Sequence, residues 1–413
     1  MNLVQVIHRL ATDSTFAAQF QDEYAATMSG NTLDQDSIEA FQAVLKGPQA
    51  WQELCNPCGT GMEGFWEAST SATDAADEPA QAPARSYDQM LAALSAPQPA
   101  EELSLRALPT LCCQALDVQP QQTQQLSAAW NTLYTALHLL DNIEDGDTPN
   151  QVWAAWGAGP TLNFTTGLLA SIGLTLDELV DLGATPQVSR ALQRDFNRTI
   201  LGMCAGQHDD LTLQQPTLEQ CWTIAEAKSS IFFALACRSA ATLAGADVER
   251  TQQFEAFGRH LGVLVQITDD ISGLWSWEHA SSDLGAEQRW TLPTAYAMSA
   301  LGADERARLQ TLLSDAASPD AEEQARQMII AAGAVLYLAT EAQRRYHAAL
   351  RLLEQMTAPS AVRETLRELL HQAAPMTINQ TPVRAAASPA AQPARREAPA
   401  FMMGRETLLA RTA

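Results

Sequence analysis

From Tyr87 to Ala373 apolar residues recur every three or four positions, and the alternating β-branched runs that build strands are missing. A chain with that single periodicity has to bury helix against helix, so the spacing predicts an all-α domain over residues 87–373. Hydrophobic residues make up 46% of the 413, enough for a large core. No apolar stretch approaches the ~20 residues that cross a bilayer.

The flanks differ in character. Residues 1–66 carry two helical patterns, "VQVIHRLATDSTFAAQFQDEYAATM" and "SIEAFQAVLKGPQAW", and read as a small helical module. Residues 67–86, "EASTSATDAADEPAQAPARS", lose their large apolar side chains and read as a flexible linker. The Ala-, Pro- and Arg-rich tail over 374–413 has the composition of a disordered segment. The first residues lack the basic region, apolar core and cleavage site of a secretory signal, so the expected location is the cytoplasm. A net charge of −23 argues against nucleic acid and anionic lipid as partners, and no transmembrane segment is expected. Seven scattered cysteines point to free thiols. The "CNPC" at 55–58 has zinc-knuckle spacing but no second pair to complete four ligands, and reads as a tight turn.

Two acidic clusters stand out. Leu126, Trp130, Leu133, Leu137 and Leu140 form one apolar helix face that runs straight into the carboxylates and carboxamide of "LHLLDNIEDGD", residues 137–147: Asp141, Asn142, Glu144 and Asp145. Asp141 and Asp145 share a side of that helix, where like charges repel. In "GVLVQITDDISGLW", residues 262–275, a second apolar run ends in Asp269 and Asp270, with Gln266 one turn earlier. A single such cluster is an ordinary solvated helix end. Two of them, each tied to an apolar run, suggest carboxylates facing each other across a cavity mouth, a setting for Mg²⁺, which takes oxygen ligands and substrate phosphates.

These residues, in order, resemble the trans-polyprenyl synthase family of class I isoprenoid synthases. "DNIED" at 141–145 is similar to the first aspartate-rich motif DDxxD, and "GVLVQITDDISG" to GxxFQxxDDxxD. Between them "GQHDDL" resembles GQxxDL, and "AEAKSSIFFALACRSAATLAG" resembles the lysine-bearing helix. "RWTLPTAYA" resembles KxTLP further on. The resemblance implies an isoprenoid-synthase-type helical bundle that binds an allylic prenyl diphosphate through three Mg²⁺ ions. It implies Asp141, Asp145, Asp269 and Asp270 as metal ligands, and Lys228, Arg289 and Arg106 as contacts to diphosphate. Gln266 would face the reacting end, and Ala136, Leu137 and Tyr134 would line the pocket for the hydrocarbon. Trp130, Phe232 and Phe233 are further candidates for that lining, and equally for ordinary core. A homodimer is implied by the same analogy.

The departures from the family pattern matter as much. Chain-elongating members carry a GKRxRP segment that binds isopentenyl diphosphate; here "LSLRALPTLCCQAL" keeps only Arg106. The arginine pair expected after the first motif is replaced by "GDTPNQVWAAWG", and the second motif ends in Ser272 and Gly273, without its last Asp. A second diphosphate needs several fixed positive groups. The expected activity is therefore that of a terpene synthase acting on one allylic diphosphate. The alternatives are a chain-elongating prenyltransferase and a non-catalytic subunit of a heteromer. Retention of Asp141, Asp145, Asp269, Asp270 and Lys228 argues against the last.

Overall fold

A computed structural model describes residues 3–12, 37, 40, 103–144, 156–274, 282–284, 290–315 and 318–374. Among them every regular element is helical. The protein is all-α, with a bundle built as the spacing of its apolar residues requires. The linker at 67–86, the "CNPC" pair and, but for Ala374, the tail at 374–413 lie outside the described residues, as does most of the module at 1–66.

The helices are α1 (Leu3–Thr12), α2 (Leu108–Ala115), α3 (Pro120–Glu144), α4 (Ala158–Asp177) and α5 (Pro186–Thr212). After α6 (Leu218–Ala225) a π-helical turn, Glu226–Ser230, leads into α7 (Ile231–Leu243) and α8 (Val248–Ser272). Then follow α9 (Leu292–Ala300), α10 (Ala303–Ser314), α11 (Pro319–Ala331), α12 (Ala334–Gln355) and α13 (Ser360–Ala373). Local signals start several of them. Thr185 caps α5 ahead of Pro186, Thr217 and Gln220 form a capping box on α6, and the Asp247 carboxylate accepts from Arg250 N at 2.8 Å at the head of α8.

The long helix α8 is the spine, packed against α7, the π-turn and α12. Phe254, Phe257, Leu261, Leu264 and Ile267 on it have no exposed surface. Helix α3 lies across α2, α4 and α7. At that junction the Trp130 indole stacks on Phe232 with centroids 4.4 Å apart and donates its N–H to the Phe232 carbonyl at 3.2 Å. Trp130 is fully buried, and Phe232, Phe233 and Tyr134 pack around it. They form the core beneath the acidic helix ends.

Two glycines set how closely α8 meets the π-turn and α7. A Cβ on Gly262 would fall 2.5 Å from the Ser229 carbonyl oxygen and 2.8 Å from Ser230 Cα; one on Gly258 would fall 2.5 Å from the Phe233 carbonyl. From the other side Gly206 of α5 admits Ala227, whose Cβ would lie 2.6 Å from the added carbon. Only backbone without side chains permits these approaches.

Helix α1 packs on α9 and α12. Val6 and Ile7 are fully buried, the Tyr296 hydroxyl donates to the Val4 carbonyl at 3.2 Å, and His8 Nδ1 lies 3.2 Å from the Ala332 carbonyl. The five cysteines among the described residues are free thiols.

Gly262→Ala forces backbone against backbone with no flexible side chain to yield. We expect a loss of about 1–3 kcal/mol of stability by urea denaturation. A variant as stable as the wild type would show that the two helices separate at no cost.

Candidate active site

Four chain segments bring their ends together. Asp141 comes from the last turn of α3, Asp210 from the last turn of α5, Lys228 and Ser229 from the π-turn, and Gln266, Asp269 and Asp270 from the last two turns of α8. The π-turn is what aims Lys228. Its defining bond runs from Ile231 N–H to the Glu226 carbonyl, one residue longer than in an α-helix, so one extra residue bulges from the helix. Lys228 Nζ lies 2.6 Å from Asp210 Oδ2 and 3.6 Å from Asp141 Oδ1. Next to it the Ser229 hydroxyl donates to Gln266 Oε1 at 2.5 Å, and Gln266 Nε2 donates to Asp270 Oδ1 at 2.7 Å. The second oxygen of Asp270 accepts from Leu292 N–H at 2.9 Å, at the first residue of α9. Asp270 is thereby buried with both oxygens held, while each oxygen keeps lone-pair capacity for a further ligand.

The electrostatics follow from the enclosure. Asp269 is exposed as a residue, yet the protein around it is crowded enough that its charged form is poorly solvated. That desolvation first, and then the charges of Asp270, Asp283 and Asp141, push it up to about 8, against the opposing pull of Lys228. Asp270 is raised to about 6, chiefly by burial, with the bonds from Gln266 and Leu292 working the other way. Among the described residues Lys228 is the base that acts on both carboxylates.

Asp141, Asp269, Asp270 and Lys228 thus come together. Asp145 and Arg289 lie outside the described residues. Arg106 sits lower on the α3 flank: its guanidinium covers the Tyr134 ring at 4.4 Å from the centroid and reaches Thr135 Oγ1 at 3.3 Å. Tyr134 precedes Asp141 by two turns, about 10 Å along the axis. Ala136 is fully buried and Leu137 half-buried on the same helix. Gln266 is engaged by Ser229 and Asp270, so in this structure it positions a carboxylate. Asp210, Ser229 and Asp283 were not among the expected site residues. Asp210 could have been found inside "GQHDDL", and Ser229 beside Lys228 in the same helix motif; Asp283 lies in no acidic cluster and had no such signal.

The donor set is carboxylate oxygen on opposite helices, which suits Mg²⁺. Among the described residues no three acidic, His or Cys side chains form a ready-made cage. One or two carboxylates per ion, with phosphate oxygens completing the shell, is how Mg²⁺ is held with substrate. The residues fit the ion.

Residues 104–331 match the family model described as polyprenyl synthetase. The chain belongs to that family. It is 29% identical over 185 residues to geranylgeranyl diphosphate synthase of Mycobacterium tuberculosis, covering 42% of this chain and 51% of that one. It is 27% identical over 246 residues to (2E,6E)-farnesyl diphosphate synthase of Mycobacterium bovis, covering 56% and 67%. The chain therefore spans about half the length of the first relative and two thirds of the second. A shorter match, 25% identical over 152 residues, covers 37% of this chain and 48% of the tryptophan prenyltransferase ComQ of Bacillus subtilis. The fold is shared with a polyprenyl synthetase from Streptomyces coelicolor (TM-score 0.59, 22% identity, 81% of this chain and 98% of that one). A decaprenyl diphosphate synthase from Rhodobacter capsulatus shares it too (TM-score 0.61, 16% identity, 82% and 98%). No helix among the described residues is long and apolar enough to cross a membrane.

An acid raised on folding destabilises the native state once the unfolded chain has ionised. Asp269 should therefore cost stability progressively from pH near its ordinary 3.8 up to about 8, and level off above. In EDTA the thermal midpoint is expected to fall across that window, with Asp269→Asn falling less and being the more stable protein at pH 8. Parallel curves for the two proteins would remove Asp269 as the cause.

Proposed function

We propose that the protein is a Mg²⁺-dependent isoprenoid synthase that ionises an allylic prenyl diphosphate and transfers the prenyl group to isopentenyl diphosphate. The observation that carries the reading is Lys228, set by the π-turn between Asp141 and Asp210 and acting on Asp269 and Asp270. Family membership and the relatives named as geranylgeranyl and farnesyl diphosphate synthases favour chain elongation over the terpene synthase expected from the missing bases. The terpene-synthase reading retains one argument, that Arg106 is the only base left in the upstream segment and is spent on Tyr134 and Thr135. Three Mg²⁺ ions, a homodimer and a cytoplasmic location belong to the proposal by family analogy.

Asp141, Asp269 and Asp270 would hold Mg²⁺, with Asp145 beside them. A cation held by these carboxylates would supply positive charge to the departing diphosphate and so ease the breaking of the allylic C–O bond. Lys228 contributes a charge-assisted hydrogen bond to the same oxygens by exchanging Asp210 and Asp141 for the substrate. These two ion pairs are partly exposed and weak enough to be exchanged. Ser229 and Gln266 keep the Asp270 carboxylate aimed while this happens. The apolar residues of α3 below Asp141 keep water from the allylic cation.

A second reading has a specific observation behind it. The match to a tryptophan prenyltransferase, together with the thin set of bases, favours an acceptor that carries no diphosphate, an indole ring. An indole carbon can attack the allylic cation directly, and the ring then loses its proton.

One assay series separates these readings. Purified protein with Mg²⁺ and allylic diphosphates of increasing length is given isopentenyl diphosphate, a tryptophan-containing peptide, or neither. Longer diphosphates only in the first arm are the expected result. Prenylated peptide would establish the indole acceptor, hydrocarbon or alcohol from the third arm a terpene synthase, and no turnover in any arm a non-catalytic subunit. Asp269→Ala is expected to lower kcat by about 100-fold or more. Lys228→Ala is expected to raise KM for the allylic diphosphate by about tenfold. An unchanged KM would take Lys228 out of the diphosphate site.

A further inference from the structure

Helix α8 ends at Gly273, which occupies the position of the absent last acid of the second motif. Gly273 is still helical in conformation (φ −61°, ψ −13°), and its N–H closes the helix on the Asp269 carbonyl. It follows Asp269 by four residues and Asp270 by three, so a side chain there would share their face. That place is not empty. A Cβ built on Gly273 would overlap the carboxylate of Asp283, with Asp283 Cγ at 2.7 Å. The chain has returned after ten residues and laid an acid where position 273 has no side chain.

We propose that Asp283 supplies the carboxylate that position 273 lacks, as one of the one or two protein ligands of a cation whose shell diphosphate oxygens complete. This rests on the site reading above and adds to it a residue that lies outside both acidic clusters. Asp283 is held in place from several directions. Its N–H donates to the Gly273 carbonyl at 2.8 Å, tying the returning chain to the end of α8. On one side of it Leu284 is buried in the core. On the other, buried Ser282 donates its hydroxyl to Glu322 at 2.6 Å. Glu322 pairs with Arg326 at 2.6 Å, and Arg326 Nε donates in turn to the Leu274 carbonyl. The network closes a loop from α8 through α11 back to the turn that carries Asp283. Its backbone is thereby held at a fixed point, from which the carboxylate reaches the place of the missing side chain. Glycine at 273 is a requirement of this arrangement, because any side chain there would displace the acid.

The test uses the full-length protein, Mg²⁺ and inorganic diphosphate, and reads the thermal midpoint as Mg²⁺ is titrated, with EDTA as the zero point. Wild type should be stabilised in a Mg²⁺- and diphosphate-dependent way. Asp283→Asn, nearly the same shape without the charge, should need about tenfold or more Mg²⁺ for half the effect. Its midpoint in EDTA should be no lower than that of wild type. The double variant Gly273→Asp/Asp283→Ala, which returns the carboxylate to position 273, should recover to within about threefold of wild type. A wild type that does not respond to Mg²⁺ with diphosphate overturns the site reading itself, and this proposal with it. A wild type that responds while Asp283→Asn responds identically overturns the role of Asp283 alone. A folded double variant no better than Asp283→Asn overturns the equivalence of the two positions. If the double variant does not fold, the single substitution still decides.

Discussion

The close approach of the π-turn to α5 and α8 is the constraint on which the rest of the site depends. Gly206 on one side and Gly258 and Gly262 on the other let the backbone of residues 227–234 lie between two helices with no side chains in the way. That contact sets where Lys228 can reach, and it brings the Ser229 hydroxyl within range of Gln266. From Gln266 the order passes to Asp270, and from Asp270 to the first amide of α9. Functional side chains from four segments thus inherit their positions from a few absent methyl groups.

The charges show the same economy. Asp141, Asp210, Asp269, Asp270 and Asp283 act on one another or on Lys228 within one region, and among the described residues Lys228 is the base that opposes them. Without a cation the arrangement is costly, and the cost falls hardest on Asp269, whose ionisation is delayed to about 8. Fixing carboxylates before the ion arrives moves the work of ordering them into folding, where the surrounding core supports it.

Most of the fold could be read from periodicity. The apolar stripe through Leu126, Trp130 and Leu133 does face the core, and the second acidic cluster does end a buried helix. The pairing of Asp141 with the α8 acids was legible because helix ends with acids announce themselves in a linear chain. The π-turn was not, since a one-residue change of register leaves no mark in a helical pattern. Nor was the role of Gly273. In the sequence it is a missing acid, whereas in three dimensions it is the space that admits an acid from ten residues away. For Arg106 the sequence suggests a phosphate contact, and the structure adds what no sequence pattern carries, its packing on Tyr134 and Thr135.

The docking of α1 carries a consequence for how the chain is made. Val6 and Ile7 are buried against helices that come very late in translation. The Tyr296 hydroxyl that grips Val4 is 292 residues away, and the Ala332 carbonyl beside His8 is 324 away. At about 5–20 residues per second, the apolar face of α1 waits tens of seconds for its partners to leave the ribosome. During that interval its apolar face is without the partners that bury it in the folded protein. Codon usage and expression temperature should therefore weigh more heavily on the yield of this protein than its final stability would suggest.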